Sequence, residues 1–577
     1  MSYLQFKSKY DRFPEIKING TVWNGYQAIV SEIKKQKASI IAIECYPGVD
    51  YQEIEEHLIR PLKPKQIIKS DDFALNSESL DKMLSPYLTE DRVFGYMSSF
   101  EIEDFYEDSS LSKINRLIKA NNNLTIVYGF GASLCENYDM LIYLDMTRFE
   151  IQQRFRNHKL ANWKCDNYME DNLKKYKRGF FVEWRVADRL KERLLRKINY
   201  YLDINTKEKP KMIDKDTLLN GCLQTSLQPF RLVPYFDPGV WGGQWLKEVC
   251  NLDPNIENYA WSFDGVPEEN SIYFNIDGTR VEIPAQNVVL MEALNLLGKS
   301  NLERFGAEFP IRFDLLDTMD GQNLSLQVHP LTDYIRSQFG MKYTQDESYY
   351  LLDAKEDALV YLGVKENINH TEFIEALKLA QKNNVFEDEK YINRFPVKKH
   401  DHISIPSGTI HCSGTNSMVL EISATPYIFT FKLWDWNRLG LDGLPRPIHI
   451  EHGKESIQYQ RDESWVRKNL LNKVELIEEE EGIKEEKTGL HENQFLETRR
   501  HWFNKPVLHD TLGTVNVLNL VEGVEAIVES PTNKFPPLIV HFAETFIIPA
   551  SVGQYTIRPY GESVGKTCAT IKAYVRK

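Results

Sequence analysis

Two histidines, a glutamate and a glutamine occur at spacings that suit a metal site. Gln327 and His329 are two residues apart in the predicted strand LSLQVHP, and strand alternation points both side chains to one face. Glu347 opens another predicted strand, ESYYLLD, and His411 follows a Pro-Ser-Gly turn. Two imidazoles, a carboxylate and an amide oxygen suit Zn²⁺, Fe²⁺ or Mn²⁺. On spacing alone, a histidine near a strand end is more often a structural residue whose hydrogen bonds are satisfied.

The elements that would position these residues are short strands. The segment 309–330 predicts two strands joined through Asp320 and Gly321, a pair suited to positive φ in a hairpin turn. From about residue 225 onward, short β runs with Gly/Pro turns have the texture of sandwiches and barrels. One helical pattern, HTEFIEALKLAQK at 370–382, interrupts them.

The order of several short blocks adds a resemblance to a known family. The chain from about 229 to 452 resembles the class I (zinc-dependent) mannose-6-phosphate isomerases, which are cupin-fold aldose–ketose isomerases. The main blocks are VWGGQWL (240–246), FPIRFDLLD (309–317), LSLQVHP (324–330), ESYYLLDA (347–354), IPSGTIH (405–411) and LWDWNR (433–438). The resemblance implies one Zn²⁺ per chain, with Fe²⁺ or Mn²⁺ as alternatives, held by Gln327, His329, Glu347 and His411.

The activity that this resemblance implies is the interconversion of mannose 6-phosphate and fructose 6-phosphate. Such an isomerisation moves a proton between adjacent carbons through an enediol, so the site must stabilise charge that develops on an oxygen. The resemblance points to Arg438 as a catalytic electrostatic group, with Asp435 or Glu421 as acid/base groups. A simple salt bridge between Arg438 and Asp435 is the structural alternative.

Two departures from the family concern the substrate, a small sugar phosphate. Asp314 and Gln345 stand where many members carry lysines. A phosphate carries close to two negative charges and needs cationic or N–H donors. We therefore expect Arg312 or Lys342 to bind the phosphate, with Ser262 and backbone amides as a further possibility. The missing lysines also leave two other hypotheses open: a non-catalytic sugar-binding or regulatory cupin protein, and an isomerase for a different sugar.

The N-terminal part alternates strands and helical patterns, which is typical of a parallel sheet covered by helices. The segment 39–58 has the strand, loop and helix order of a P-loop kinase, and IIKSDDFAL (67–75) resembles a strand of uridine-kinase-like proteins. The loop, CYPGVD, lacks the GK[ST] ending that supplies the phosphate lysine and the Mg²⁺ hydroxyl. We therefore predict a degenerate nucleoside-kinase-like domain that does not hydrolyse ATP.

The predicted fold class is multidomain, α/β plus all-β: a P-loop-kinase-like parallel sheet followed by two cupin (jelly-roll) β-barrels with a helical insertion. The predicted domains are 1–210, 225–465 and 490–577, and the acidic run 475–487 is expected to be a solvated linker. In the last domain, His541 and Glu544 resemble part of a cupin metal motif. A second strand that would carry the partner histidine is missing, so we expect a structural barrel without a metal.

The composition of the chain indicates which kinds of partner and which cellular compartment to expect. The chain has 577 residues, and 70 Lys and Arg against 83 Asp and Glu leave a net charge of −13. This balance disfavours nucleic acid and anionic membranes as partners. The sequence shows no run of 18 apolar residues and no signal-peptide pattern. Its seven cysteines form no CxxC pair, as expected for a reducing compartment, so we predict a cytoplasmic protein.

Overall fold

The computed structural model describes residues 3–119, 123–425 and 429–576. These residues fall into two compact units. The α/β unit comprises Glu15–Thr225 and Ser271–Met291, and the β unit comprises the chain up to Pro14, Ser226–Asn270 and everything from Glu292 onward. The division differs from the three predicted domains: the residues up to Pro14 belong to the β unit, the segment 271–291 belongs to the α/β unit, and the two predicted β domains fall in one unit.

The α/β unit is built on a seven-stranded sheet. Five neighbouring strands are parallel to one another, and two more strands extend one edge through antiparallel pairings. The order is Val22–Asn24, Lys211–Asp214, Tyr200–Asp203, Met140–Asp145, Ile40–Cys45, Thr125–Gly129 and Gln66–Lys69. Parallel strands are covered on both faces and therefore have continuous apolar sequences, as in IIAIEC and TIVYG. The alternation of strands and helices predicted for this part of the chain is confirmed.

A smaller sheet explains why 271–291 belongs to this unit. Ser271–Ile276 runs parallel to Glu15–Lys17 and antiparallel to Thr279–Pro284. The short helix that follows contributes Asn287, whose Nδ2 donates to the buried Asp145 at 2.9 Å. Asp145 also accepts from Lys191 Nζ at 2.9 Å and from the Tyr201 hydroxyl at 2.9 Å. Pairing between segments so far apart in the chain is invisible to local periodicity.

Helices alternate with the strands of these sheets along the chain. The α-helices of the unit are Tyr26–Lys35, Tyr51–Ile54, Arg60–Leu62, Ser77–Leu88, Asp108–Lys119, Arg148–Arg156, Asn172–Arg178, Trp184–Leu194, Lys215–Ser226 and Gln286–Met291. Two helical stretches, 51–62 and 172–194, are continuous through the π-helical segments Glu55–Ile59 and Gly179–Glu183. No helix among the described residues combines the length and the apolar character needed to cross a bilayer.

The central part of the β unit consists of two facing antiparallel sheets, which we call the central sandwich. The first has the order His402–Ile405, Glu347–Ala354, Ser417–Ser423, Arg312–Asp317, Trp261–Gly265 and Tyr235–Asp237. The second has the order Ile392–Pro396, Leu359–Val364, His411–Ser413, Leu326–Val328 and Phe431–Trp434. The predicted helical insertion is confirmed as His370–Asn383.

The expected hairpin at Asp320 is wrong in one respect. Asp320 does adopt a positive φ of 56°, but the two strands that flank it do not pair with each other. Arg312–Asp317 pairs within the first sheet and Leu326–Val328 within the second. The turn thus carries the chain from one sheet to the other, and this places residues of both strands inside the sandwich.

The remainder of the β unit forms a second pair of sheets, which we call the C-terminal sandwich. Its six-stranded sheet has the order Val474–Glu480, Ile483–Thr488, Leu496–Phe503, Cys568–Val575, Asn516–Glu522 and Thr545–Ile548. Its four-stranded sheet has the order Val507–Asp510, Gln554–Pro559, Glu525–Glu529 and Leu538–His541. Apolar side chains from both sheets, such as Phe503, Leu518 and Tyr555, share one core.

The acidic run 475–487, expected to be a linker, forms a β-hairpin at the edge of this sheet instead. Val474–Glu480 and Ile483–Thr488 are antiparallel, and Gly482 between them has φ of 82°. Ile483 packs against the shared core, while Val474–Glu480 is exposed along its whole length. Charged side chains on such an edge strand disfavour edge-to-edge association.

The helices of the β unit are short and connect strands. They are Trp245–Val249, Ala293–Leu297, Lys299–Phe305, Thr332–Phe339, His370–Asn383, Asp388–Tyr391, Ile450–Lys454 and Glu463–Asn469.

Candidate metal centre

Strand register places the four predicted ligands inside the central sandwich. Gln327 pairs directly with His411 across two antiparallel strands of the second sheet, so their side chains share a face. His329 is two residues beyond Gln327 and lies on that same face. Glu347 begins a strand of the first sheet. All four side chains are buried, three of them completely.

The side chains meet at one point between the two sheets. Glu347 bridges the histidines, with its Oε2 at 3.0 Å from Nε2 of His329 and its Oε1 at 2.8 Å from Nε2 of His411. The amide of Gln327 lies 3.2 Å from the same nitrogen of His411. A half-turn of that amide presents an oxygen in the same place. Among the described residues, His329, Glu347 and His411 are the one group of His, Cys or acidic residues with metal-ligand spacing.

The Nδ1 atoms of both imidazoles, which face away from Glu347, are hydrogen-bonded to backbone carbonyl groups. Nδ1 of His329 lies 2.9 Å from the carbonyl oxygen of Phe429, and Nδ1 of His411 lies 2.9 Å from that of Thr409. A carbonyl can only accept, so each Nδ1 carries a proton, and Nε2 is the nitrogen that each imidazole turns toward Glu347 and offers to a metal. Backbone carbonyls commonly orient metal-bound histidines in this way. The donor set therefore fits a divalent metal of the zinc, iron or manganese type.

The charge state of the centre is set by its carboxyls. Burial acts to raise the pKa of Glu347, but the two imidazoles outweigh it and hold that pKa below its usual range. Glu421 is buried one strand away, and burial together with the charge of Glu347 raises its pKa well above the usual range. Gln345 links the two, because its Nε2 donates to Glu347 at 3.0 Å and to Glu421 at 3.2 Å. Gln345 thus positions both carboxyls.

Arg312 lies on the inner face of the first sheet. Arg312, Ser423 and Glu347 are in register across three neighbouring strands, so Arg312 and Glu347 share a face at a strand separation of about 10 Å. The Arg312 side chain is 1% exposed, and its Nε pairs with Asp314. Its Nη1 and Nη2 have no hydrogen-bond partner among the described residues. Two buried N–H₂ groups are thus available to a ligand.

The other two predicted substrate residues lie elsewhere. Lys342 is on the surface, where it pairs with Glu308 at 2.9 Å and its side chain remains 64% exposed. Ser262 is buried, but it pairs in register with Leu315 and not with Asp314, so its side chain points to the opposite face from Arg312. The fold brings neither residue to the metal ligands.

Asp435 and Arg438 form a salt bridge just after the strand Phe431–Trp434. Arg438 also donates through Nη1 to the carbonyl oxygen of Asn323 at 2.7 Å. Arg446 binds the other oxygen of the Asp435 carboxylate at 2.6 Å. One carboxylate therefore holds two guanidinium groups, and the cluster keeps a net positive charge.

Lys432 is the residue that the sequence analysis missed. It pairs in register with Gln327, so the two side chains share the inner face of the second sheet. Its ammonium group has no hydrogen-bond or ion-pair partner among the described residues. Burial, followed by the charge of Arg446, lowers its pKa to about 8. The signal in the sequence is alternation in FKLW, but the pairing with Gln327 is needed to show which face is the inner one.

In the predicted phosphate loop of the α/β unit, a carboxylate of the chain occupies the position that a phosphate would take. Asp50 caps the helix that begins at Tyr51, and its carboxylate accepts the backbone N–H groups of Gln52 at 3.0 Å and of Glu53 at 3.2 Å. Those amides are the donors that a helix N-terminus offers to a phosphate. A carboxylate of the chain occupies them here.

Two parts of the chain are similar to known families. A family model described as a domain of unknown function (DUF8485) matches residues 25–227. The mannose-6-phosphate isomerase ManA of Bacillus subtilis is 25% identical over 236 residues, which are 40% of this chain and 68% of that protein. The mannose-6-phosphate isomerase of Streptococcus mutans serotype c is 26% identical over 226 residues, 39% of this chain and 66% of that protein.

The crystal structure of the mannose 6-phosphate isomerase from Bacillus subtilis matches with a TM-score of 0.48 and 19% sequence identity, covering 60% of this chain and all of that one. Over 40% of its length, then, the chain is homologous to mannose-6-phosphate isomerases. The resemblance predicted from the sequence is confirmed at this level.

Proposed function

We propose that the protein is a metal-dependent aldose–ketose isomerase that interconverts mannose 6-phosphate and fructose 6-phosphate, and that the central sandwich is a class I, zinc-binding cupin barrel. The observation that carries the proposal is the buried meeting of His329, Glu347 and His411, with Gln327 beside them. The homology to enzymes of that name supports it.

The residues around the centre can supply the functions that a reaction through an enediol needs: stabilisation of charge, transfer of a proton and positioning of the substrate. A bound divalent metal supplies a Lewis acid for the charge that develops on the sugar oxygen. Glu421 is the carboxyl best placed to hold and move a proton, because it lies on the inner face next to Glu347. Asp435 is bound by Arg438 and Arg446, so we assign to these three a role in positioning and charge.

Lys432, next to the positive cluster of Arg438 and Arg446, is the cation that we assign to the substrate phosphate. Arg312 has carboxylates around it, including Asp314 and Glu421, which compensate its charge. We assign its two N–H₂ groups to sugar oxygens. Lys432 lies on the sheet that carries Gln327 and His411, whereas Arg312 lies on the sheet that carries Glu347. A substrate between the sheets would therefore meet cations from both sides.

The test is an isomerase assay on the full-length protein with mannose 6-phosphate, other aldose phosphates and the matching ketose phosphates. We expect turnover with mannose 6-phosphate, loss of turnover when a chelator removes the metal, and recovery when Zn²⁺, Fe²⁺ or Mn²⁺ is returned. Measuring metal content in parallel separates a missing metal from a missing activity. A metal-loaded protein that turns over none of these sugars would contradict the proposal.

A second candidate is a non-catalytic sugar-binding protein. It is favoured by Asp314 and Gln345, which stand where lysines are common in the family and which are tied to Arg312 and to Glu347, respectively. That protein would bind the sugar phosphate in a titration without converting it. An isomerase for a different sugar would instead turn over another aldose phosphate in the same panel.

For the α/β unit we propose a degenerate nucleoside-kinase-like domain without ATPase activity. The loop carries no lysine for the β- and γ-phosphates and no hydroxyl for Mg²⁺, and the carboxylate of Asp50 already accepts the helix N-terminal amides. We expect no release of phosphate from ATP by the full-length protein with Mg²⁺, measured over hours. Steady turnover that persists through further purification would contradict this proposal.

A further inference from the structure

The turn 406–409, which we call the ligand turn, is hydrogen-bonded to both histidines of the metal centre. The N–H of Gly408 donates to the carbonyl oxygen of His329 at 2.9 Å. The carbonyl oxygen of Thr409 accepts from Nδ1 of His411 at 2.9 Å. The position of this turn therefore affects where both imidazoles lie.

The ligand turn is also bonded beside the third ligand. The N–H of Ser407 donates to the carboxylate of Asp346 at 2.8 Å, and Asp346 precedes Glu347 in the chain. Gly408 has φ of 83°, and a Cβ at this position would lie 2.7 Å from the carbonyl oxygen of Ser456. The turn thus requires a glycine here and fits closely against its surroundings.

Arg461 comes from a later part of the chain and binds the ligand turn through its guanidinium group. Its Nη1 donates to the carbonyl oxygens of Pro406 at 2.7 Å and of Ser407 at 2.6 Å, and to Oγ1 of Thr409. Pro406 and Thr409 are buried. A buried acceptor that loses its donor is costly, so removal of the guanidinium should displace the turn.

The backbone of Arg461 is bonded to the strand beside His411. The N–H of Val364 donates to the carbonyl oxygen of Arg461 at 3.1 Å, and Val364 ends the strand Leu359–Val364. In that strand Leu362 pairs in register with His411. Arg461 therefore joins two neighbours of His411, the strand beside it and the turn before it.

We propose that Arg461 is a positioning residue of the metal centre, which holds the ligand turn so that the imidazoles stay where they can bind a metal. It acts through Thr409, because the hydroxyl of Thr409 accepts from the guanidinium and its carbonyl oxygen accepts from His411. The inference rests on the metal centre of the proposed function and not on the identity of the sugar.

The test is the affinity of the full-length protein for Zn²⁺, measured by competition with a chelator and without substrate. Residues bonded to a metal ligand change metal affinity by about 10- to 100-fold, and Arg461 acts one residue further away, so Arg461→Met should weaken binding by about tenfold. Arg461→Lys keeps a cationic nitrogen with three N–H donors and should recover part of the affinity. If Arg461→Met does not fold, Arg461→Gln takes its place.

Co²⁺ in place of Zn²⁺ adds a spectroscopic readout, because its visible absorption bands depend on the arrangement of the donor atoms. We expect these bands to change in Arg461→Met and to return toward the wild-type bands in Arg461→Lys. The matched control is Arg394→Met, since Arg394 lies in the strand Ile392–Pro396 of the same sheet and pairs with Asp388 at 2.7 Å. This variant should lose stability and keep both the Zn²⁺ affinity and the Co²⁺ bands.

Unchanged affinity and unchanged bands in a folded Arg461 variant that lacks the guanidinium would overturn the inference and leave the proposed function in place. Equal losses in Arg394→Met would overturn it too, because they would reflect a general loss of stability. A wild-type protein that binds no metal would contradict the proposed function together with this inference. Since no substrate is present, a lack of turnover does not alter these outcomes.

Discussion

His411→Ala is expected to remove the metal and, with it, the isomerase activity. His411 contributes an Nε2 that lies 2.8 Å from Glu347, and the bond from its Nδ1 to Thr409 holds the ring in this orientation. Loss of a residue that merely supports a ligand lowers metal affinity by about 10- to 100-fold. Loss of the ligand itself should therefore lower it by more than about 100-fold. Elemental analysis of the purified variant measures this directly.

The activity should fall further than the metal content alone would suggest. Lewis-acid stabilisation is worth several kcal/mol, and each 1.36 kcal/mol is about a factor of ten in rate, so a loss of about 1,000-fold is expected. Added Zn²⁺ should restore little of it, because the remaining donors no longer close the site.

The matched control is His402→Ala. His402 is also buried in the central sandwich, but its ring bonds to Ser348 and Thr488 and not to the metal ligands. This variant should lose some stability and keep its metal. Full metal occupancy in His411→Ala, or equal loss in both variants, would contradict the assignment of His411 as a ligand.

The meeting of Gln327, His329, Glu347 and His411 could be predicted in part from the sequence, because the faces of their strands follow from local rules. Alternation fixes the common face of Gln327 and His329, and the strand pattern places Glu347 and His411 at strand ends. The strands of the α/β unit were equally predictable, since a buried parallel strand such as Ile40–Cys45 is a continuous apolar run. Family resemblance then resolved what spacing left open.

The parts that could not be predicted depend on which strands become neighbours. Lys432 enters the site because its strand pairs with that of Gln327, about 100 residues away in the chain. Lys342 seemed suitable from its sequence position, but a turn on the surface carries it away from the sandwich. Likewise the acidic run 475–487 has the composition of a linker, and only its pairing with Leu496–Phe503 makes it a strand. Local composition carries no information about such pairings.

Lys432→Met should raise the KM for the phosphorylated sugar by about 10- to 100-fold, which corresponds to roughly 1.5–3 kcal/mol for a charge-assisted hydrogen bond. The reason is that a phosphate would lose its nearest unpaired cation on the face that carries Gln327. Metal content should stay unchanged, because the change removes no ligand. Steady-state kinetics and elemental analysis on the same preparation check both statements. If no turnover is found, equilibrium binding of the sugar phosphate replaces KM.

Two further variants serve as controls for this prediction. Lys382→Met changes an exposed lysine of the insertion helix and should leave KM unchanged. Arg312→Gln removes the two N–H₂ groups assigned to sugar oxygens, so it should weaken phosphorylated and unphosphorylated sugars alike, whereas Lys432→Met should weaken only the phosphorylated one. If Arg312→Gln alone shows the phosphate-specific loss, the phosphate is bound at Arg312, and Lys432 does not have the role assigned to it here.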